Sequence, residues 1–207
     1  MIPKIIHQIW IGPNSMPQNV QEYCRNTKSL FDDYNYMFWD NNNIPSMPDV
    51  CSAQFERYGK KAKYAFQADI LRYYVLNKYG GIYLDVDFMC QKRFDHLITK
   101  NFFCVSPNLK GFHVCNGILA CEKQNPILTK LLNELKNEPY HGPILLSKYI
   151  SEFLNIEFKT HIYNYLQDNP HPYVQCMPPK EFFNRKQGCC YHEALKSWLP
   201  KKTKDNK

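Results

Sequence analysis

Short apolar runs alternate with longer segments of helical periodicity along most of the chain, which is typical of an α/β fold. The apolar runs predict strands at Lys4–Ile11, Tyr34–Trp39, Ile82–Phe88, Phe102–Ser106, Phe112–Ala120 and Tyr173–Met177. The periodic segments predict helices at Gln18–Leu30, Lys60–Tyr79, Pro126–Leu135, Pro143–Leu154 and Glu193–Leu199. The asparagine-rich stretch Asp40–Pro48 predicts a loop.

The longest of these helices ends at two glycines. An apolar residue recurs every four positions and predicts its buried face, at Ala62, Phe66, Ile70 and Tyr74. Asp69 and Arg72 are three residues apart, which places them together on a neighbouring face. Gly80 and Gly81 predict a C-terminal cap, after which the next strand starts at once.

That next strand, within GGIYLDVDF, carries two carboxylates, Asp85 and Asp87. Alternation predicts that Tyr83 and both acids share one face while the apolar side chains take the other. Two like charges about 7 Å apart repel unless a cation or substrate lies between them. Three explanations fit: acids at an exposed strand end paired with lysines, oxygen ligands of a hard divalent cation, or the acid and nucleophile of a glycoside hydrolase.

Composition narrows the class of protein. The 207 residues are 44% hydrophobic and 15% aromatic, which suffices for one packed domain, expected at residues 1–200 with a disordered basic tail at 201–207. The net charge of +7 invites nucleic-acid binding, but no nucleic-acid-binding module is recognisable. The nine cysteines contain no CxxC pair, so a zinc ribbon or thioredoxin-type site is not expected. Without a signal peptide or an apolar run of about 18 residues, we expect a soluble cytoplasmic protein with at most peripheral membrane contact.

Residues 65–88, AFQADILRYYVLNKYGGIYLDVDF, resemble the DXD-containing sugar-binding region of glycosyltransferases of family 32. This family includes initiating α-1,6-mannosyltransferases and capsular-polysaccharide sugar transferases, and the glucosylating clostridial toxins share its core. The likeness lies in A-D-x-x-R-Y followed by G-G-x-Y-x-D-x-D. Four more segments resemble the family in order: IPKIIHQIW at 2–10, CNGILACEKQNPIL at 115–128, HGP at 141–143 and YHEALKSW at 191–198.

The resemblance implies a GT-A fold, an α/β/α sandwich with a Rossmann-like nucleotide-binding half and a mostly parallel mixed sheet. It also implies a metal-dependent, retaining enzyme that moves a hexose from a nucleotide diphosphate sugar to a hydroxyl of a glycan or glycoprotein acceptor. A UDP-sugar is expected ahead of GDP-mannose. Mn²⁺ or Mg²⁺ would offset the charge that develops on the leaving diphosphate. His141 stands where the family usually has threonine, so acceptor details do not carry over.

The same resemblance assigns roles to the acidic residues. Asp87 would bind the metal directly, and Asp85 would reach it through water while touching the ribose or the donor sugar. His192 would be the third ligand, with a surface histidine as the alternative. Asp69 and Arg72 would hydrogen-bond the donor-sugar hydroxyls, and a simple ion pair is the alternative.

Aromatic and small residues would complete the donor site. Trp198 would cover the diphosphate, and Trp10 would stack on the base; a core position is the alternative for each. Tyr83 would contact the ribose or phosphate. His7 and Gln8 would reach the edge of the base. The sugar and acceptor side would be lined by Asn116, Gly117, Gly142 and Pro143.

Two other functions stay open at this point. A two-carboxylate glycoside hydrolase would work in EDTA and would not bind nucleotides. A non-catalytic nucleotide-sugar-binding module would bind UDP without turnover. A hydrolase would leave the Asp69–Arg72 helix and the closing His-Trp element unexplained, and the intact Asp85, Asp87, Asp69 and Arg72 argue against a non-catalytic module.

Overall fold

A computed structural model describes residues 1–108, 111–137, 142–183 and 188–192. The strands are β1 (Ile5–Ile9), β2 (Asn35–Trp39), β3 (Gly81–Leu84), β4 (Phe88–Cys90), β5 (Phe102–Val105), β6 (Cys115–Cys121), β7 (Val174–Met177) and β8 (Cys190–His192). The helices are α1 (Gln18–Leu30), α2 (Asp49–Gly59), α3 (Tyr64–Tyr79), α4 (Pro126–Glu134), α5 (Pro143–Leu154), α6 (Ile162–Asp168) and α7 (Pro179–Phe182). Short 3₁₀ turns lie at Asp95–Leu97 and Leu135–Asn137.

Six strands form one sheet in the order β2-β1-β3-β6-β5-β7. Neighbouring strands are parallel except at β6, which runs antiparallel to both β3 and β5. The sheet is therefore mixed and mostly parallel, which confirms the predicted α/β class. β4 and β8 form a separate antiparallel pair.

Apolar cores cover both faces of the sheet. In β5, successive side chains point alternately into one core and the other. Phe102 belongs to a larger core between the sheet and helices α2 to α6, whereas Phe103 belongs to a smaller core on the opposite face. The smaller core contains Phe31 at the end of α1, Phe88 in β4 and Phe182 in α7. Side chains buried on both faces of a sheet are characteristic of a layered sandwich.

The longest helix differs from its prediction. It begins at Tyr64 and not at Lys60, because Ala62 has a left-handed backbone (φ 52°) that a helix cannot contain. Phe66 is 37% exposed, so the predicted buried face is wrong. α3 contacts α2, α4 and three strands, and it therefore buries residues on several sides: Gln67, Ile70, Leu71, Arg72, Tyr73, Val75 and Leu76. The glycine cap is confirmed, since Gly80 has φ 68° and its N–H donates to Leu76 O at 2.7 Å.

The strand predicted at Ile82–Phe88 is two strands joined by a turn. β3 ends at Leu84, and the turn closes through a bond from Phe88 N–H to Asp85 O at 3.2 Å. The predicted alternation is wrong at Val86, which packs in a third cluster with Val20 of α1, whereas Phe88 shares a core with Ile82 and Leu84 as predicted. Both acids lie on or beside this turn, outside regular strand pairing.

Five elements were not predicted from the sequence: α2, α6, α7, β4 and β8. The strand predicted from Phe112 begins at Cys115. The helix predicted at Glu193–Leu199 and the tail at 201–207 lie outside the described residues, so the domain limits remain predictions. In the described ranges, no helix has the length and apolar character needed to cross a membrane.

Candidate active site

The candidate site lies where β3 ends and β6 begins. Because these strands are antiparallel and Leu84 pairs with Ile118, the next residues, Asp85 and Gly117, face each other. The N–H of Asp85 donates to Gly117 O at 2.8 Å. A Cβ at position 117 would stand 2.5 Å from Asp85 Oδ2 and 3.0 Å from the Phe88 ring, so a larger residue would displace the Asp85 carboxylate. The register thus fixes the first carboxylate at the sheet edge.

Arg72 of α3 is the centre of the site and is only 7% exposed. Its Nη2 lies 3.3 Å from Asp69 Oδ1 and 3.2 Å from Asp85 Oδ1. Its Nη1 donates to Asn116 O at 2.7 Å, and its guanidinium lies 4.6 Å from the centre of the Tyr83 ring. One buried cation therefore holds two carboxylates and the start of β6 in fixed positions, a geometry that suits the planar guanidinium fork.

The amide of Asn116 connects this ion-pair cluster to α5. Asn116 Nδ2 donates to Asp69 Oδ1 at 2.8 Å and to the Tyr73 hydroxyl at 3.2 Å. The Tyr73 hydroxyl donates to Gly142 O at 2.9 Å, immediately before α5 starts at Pro143. A Cβ on Gly142 would stand 3.0 Å from Asp69 Oδ2, and its φ of 71° also favours glycine. Tyr73 was not among the predicted site residues; its only sequence signal is its place after Arg72 in A-D-x-x-R-Y.

Burial dominates the protonation of these groups. It raises the pKa of Asp69 to about 6, although the positive charge of Arg72 opposes the shift. It also raises the pKa of Tyr83 well above its usual range, so the phenol stays a donor and bonds Asp85 Oδ1 at 2.6 Å. Within the described residues, no donor bonds Oδ2 of Asp69 or Oδ2 of Asp85. In the described part of the site, Arg72 therefore binds two carboxylates that each keep one oxygen without a hydrogen-bond donor.

The turn with the acidic pair lies between this cluster and β8. Asp85 and Asp87 are both half-buried, and Phe88, which follows Asp87, pairs with the backbone of His192. Among the residues described, no three His, Cys, Asp or Glu side chains converge as a metal site. Two carboxylates on one turn suit a hard cation that would take its other oxygens from water and a diphosphate.

Of the two tryptophans expected at the nucleotide, the structure describes Trp10 only. Trp10 follows β1 and packs against the cluster of Val20, Cys24 and Val86, which places it beside the acidic turn. Its indole N–H donates to Asn14 O at 2.9 Å. Trp198 lies outside the described residues.

His7 and Gln8 lie in the core. The ring of His7 is fully buried, with Nε2 donating to Gly80 O at 2.8 Å and Nδ1 accepting from Trp39 Nε1 at 3.2 Å. Burial lowers its pKa to about 4, so it is neutral. Gln8 is also fully buried, and its Oε1 accepts from the Tyr36 hydroxyl at 2.6 Å. Both side chains are therefore buried, and Gln8 Nε2 has no hydrogen-bond partner among the described residues. Their expected role at the base edge stays a prediction.

Residues 17–104 match the protein family described as "Glycosyltransferase sugar-binding region containing DXD motif". An uncharacterized glycosyltransferase of Acanthamoeba polyphaga mimivirus is 33% identical over 140 residues, 65% of this chain and 56% of that protein. Inositol phosphoceramide mannosyltransferase 3 of Schizosaccharomyces pombe is 30% identical over 154 residues, 72% of this chain and 42% of that protein. The chain thus spans about half the length of these curated relatives.

Two solved structures share the fold. The PaToxG glycosyltransferase superposes with a TM-score of 0.62 at 22% identity, covering 74% of this chain and 70% of that one. The UDP-bound glycosyltransferase domain of the YGT toxin superposes with a TM-score of 0.51 at 12% identity, covering 81% and 67%. At these identities the likeness concerns the fold, and it agrees with the predicted GT-A architecture.

Proposed function

Because this chain belongs to the family of glycosyltransferases whose sugar-binding region contains a DXD motif, we propose that it transfers a hexose from a nucleotide diphosphate sugar to an acceptor hydroxyl. The observation that carries the proposal is the buried Arg72 between Asp69 and Asp85, each of which has one oxygen without a hydrogen-bond donor among the described residues. Sugar hydroxyls need fixed donors and acceptors at short spacing, and this cluster offers both.

The donor sugar would lie against α3 and the start of β6. Asp69 Oδ2 would accept from a sugar hydroxyl, while Arg72 orients the carboxylate. Asn116 and Gly117 would line the sugar, and Gly142 and Pro143, at the N-terminus of α5, would face the acceptor side.

Asp85 and Asp87 would hold a divalent cation, Mn²⁺ or Mg²⁺, with His192 as the proposed third ligand. When bound, the cation would supply positive charge to the diphosphate leaving group. Tyr83 would act by holding Asp85, since its hydroxyl already bonds Oδ1 of that residue. Without this bond and the one from Arg72, Asp85 could turn its carboxylate away from the metal.

The nucleotide would lie beside the acidic turn. Trp10 would stack on the base from the end of β1, and Trp198 would cover the diphosphate. A UDP-sugar is our first choice of donor, supported by a UDP-bound protein of the same fold. GDP-mannose is the second, supported by a relative named as a mannosyltransferase.

The transfer would retain the anomeric configuration by a front-face route. The acceptor oxygen attacks the anomeric carbon on the side that the diphosphate leaves, and a leaving phosphate oxygen takes the acceptor proton. The chain would orient both partners and exclude water. We propose a glycan or glycoprotein hydroxyl as acceptor, and the name of one relative adds an inositol phosphoceramide headgroup to the acceptors worth testing.

Calorimetry with UDP and with GDP, each with and without Mn²⁺, tests the binding site. We expect metal-dependent binding of one nucleotide, and binding of neither would refute the proposal. A screen of nucleotide sugars for Mn²⁺-dependent hydrolysis then identifies the donor. Glycosidase activity that survives EDTA would favour a two-carboxylate hydrolase, and nucleotide binding without turnover or transfer would favour a non-catalytic module.

Asp87→Asn tests the acidic turn. We expect donor hydrolysis to fall by about 10²–10³-fold, because a neutral amide holds a cation poorly. Asp168→Asn, at the exposed end of α6, is the matched control and should leave hydrolysis unchanged. A fully active Asp87→Asn enzyme with a normal melting temperature would remove Asp87 from the metal site.

A further inference from the structure

We propose that Tyr73 is a positioning residue whose hydroxyl fixes the Asn116 amide and the start of α5 relative to Asp69. The distance between the donor side and the acceptor side of the site would thereby be held constant. This inference rests on the proposed transferase function, since it concerns the same site.

Tyr73 joins three separate elements through one hydroxyl group. It lies in α3, is 1% exposed, and reaches both the first turn of α5 and the start of β6. The hydroxyl donates its only proton to Gly142 O and accepts from Asn116 Nδ2. A phenylalanine ring would fill the same space, so the hydroxyl is not needed for packing.

The Tyr73 hydroxyl and the Asp69 carboxylate together set the orientation of the Asn116 amide. Both hydrogens of Nδ2 are used, one by Asp69 Oδ1 and one by Tyr73. A flipped amide would set its carbonyl oxygen against the Asp69 carboxylate, and two acceptors repel. With Nδ2 bonded to both partners, Oδ1 of Asn116 is left as an acceptor for a hydroxyl of the donor sugar.

The hydroxyl also holds the residue at which α5 begins. Gly142 is buried, and its Cα approaches Asp69 so closely that an added Cβ would stand 3.0 Å from Oδ2. A shift of Gly142 would therefore move the acceptor side relative to the sugar-binding carboxylate. Because Tyr73 is buried behind Asn116 and Gly142, it acts through them and not on the substrate itself.

The variant Tyr73→Phe tests this role, and Tyr74→Phe is its matched control. Tyr74 is the next residue of the same helix, and its hydroxyl donates to a loop carbonyl, Ser46 O, at 2.6 Å. Each variant removes one tyrosine hydroxyl bonded to a backbone carbonyl. Only Tyr73 contacts the residues of the site.

We expect kcat for hydrolysis of the nucleotide sugar found in the screen to fall about 5- to 20-fold in Tyr73→Phe. KM for that donor should change less than about threefold, and Mn²⁺-dependent binding of UDP or GDP should be unchanged, because the nucleotide contacts other residues. Tyr74→Phe should match the unmodified enzyme. If Tyr73→Phe also matches it, the inference fails.

A double-mutant cycle separates positioning from general destabilisation. If Tyr73 acts largely through Asn116, adding Tyr73→Phe to Asn116→Ala should lower kcat by less than about twofold. Equal losses of kcat in both backgrounds would show an effect independent of Asn116 and would overturn that part of the inference.

Nuclear magnetic resonance gives a readout that does not need turnover. The two side-chain amide protons of Asn116 should shift and exchange faster in Tyr73→Phe but not in Tyr74→Phe. Unchanged Asn116 signals would overturn the inference even in an active enzyme. If the unmodified protein neither hydrolyses a nucleotide sugar nor transfers from one, the proposed function fails, while the amide signals still decide whether Tyr73 positions Asn116.

Discussion

Two arginines in this protein have partners of the same types, aspartates and aromatic rings, but differ in burial. Arg93 contacts Asp33 and Asp95, each at 2.7 Å, lies over the rings of Phe31 and Tyr34, and is 35% exposed. Arg72 likewise contacts two aspartates and lies over a tyrosine ring, yet it is 7% exposed. The presence of an arginine between two carboxylates therefore does not identify a functional site.

The difference lies in the carboxylate oxygens. Around Arg93 every oxygen is bonded: Asp33 by Lys4 and Arg93, and Asp95 by Arg93 on both oxygens. The bonds from Lys4 and Arg93 lower the pKa of Asp33 to about 2. In the buried cluster, by contrast, burial raises the pKa of Asp69 to about 6. Incomplete hydrogen bonding under burial identifies a ligand site better than an ion pair does.

Replacement of each arginine by lysine should separate the two clusters most strongly. Arg72→Lys should lower kcat/KM for donor hydrolysis by about 10²–10³-fold, because a single ammonium cannot bond Asp69, Asp85 and Asn116 O together. Arg93→Lys should change it less than about twofold, since exposed ion pairs contribute little. Steady-state kinetics of both variants checks this, and a nearly active Arg72→Lys enzyme would contradict the assigned site.

Acid should affect the two clusters differently. Asp69 has a raised pKa, so below about pH 6 the folded protein binds a proton that the unfolded chain binds only near pH 4. Its protonation favours the folded state but removes the ionised carboxylate, so kcat/KM should fall about tenfold at pH 5. The pKa of Asp33 is lowered, so its ion pairs should persist at pH 5. Circular dichroism and recovery at pH 7 control for unfolding, and a flat pH profile down to pH 5 would contradict the assignment.

The smallest expected effect is the salt dependence of the stability that the Arg93 cluster contributes. Arg93→Gln should lower the melting temperature by about 2–4 °C at low ionic strength. In 1 M NaCl this gap should shrink by at least about half, because exposed charges are screened. Melting curves at both salt concentrations measure it. An equal difference in melting temperature at both salt concentrations would mean that Arg93 stabilises the fold through packing of its aliphatic side-chain stem and not through its charge.

The sequence predicted the elements whose ends carry a strong local signal. α1 and α5 begin where predicted because Pro17 immediately precedes α1 and Pro143 is the first residue of α5. α2 was missed because it follows an asparagine-rich loop and one of its buried residues is Gln54. The end of β3 at Leu84 depends on where pairing with β6 stops, which alternation within one strand cannot reveal.

Those site residues that belong to the sequence motif were predictable from the sequence. The spacing of Asp69 and Arg72 placed them on one face, and the structure brings Asp85 to the same guanidinium. The four-residue periodicity placed Tyr74 on the buried face, whereas the structure buries Tyr73 and leaves Tyr74 half-buried. Which of two adjacent tyrosines faces the site depends on the packing around α3, which periodicity does not reveal. The position of His7 likewise depends on Trp39 and Gly80, which are distant in sequence.

The small β4–β8 pair has a consequence for the order of folding. It joins residues such as Cys90 and Cys190, which are 100 positions apart, whereas β1, α1 and β2 are consecutive in the chain. Pairings that close long loops carry a larger entropic cost and form slowly. We therefore expect the six-stranded sheet to assemble before β8 docks beside the acidic turn. In the proposed site, the acidic turn would then reach its final surroundings last. A nascent chain in which β8 has not docked should therefore hold the six-stranded sheet but lack the proposed activity.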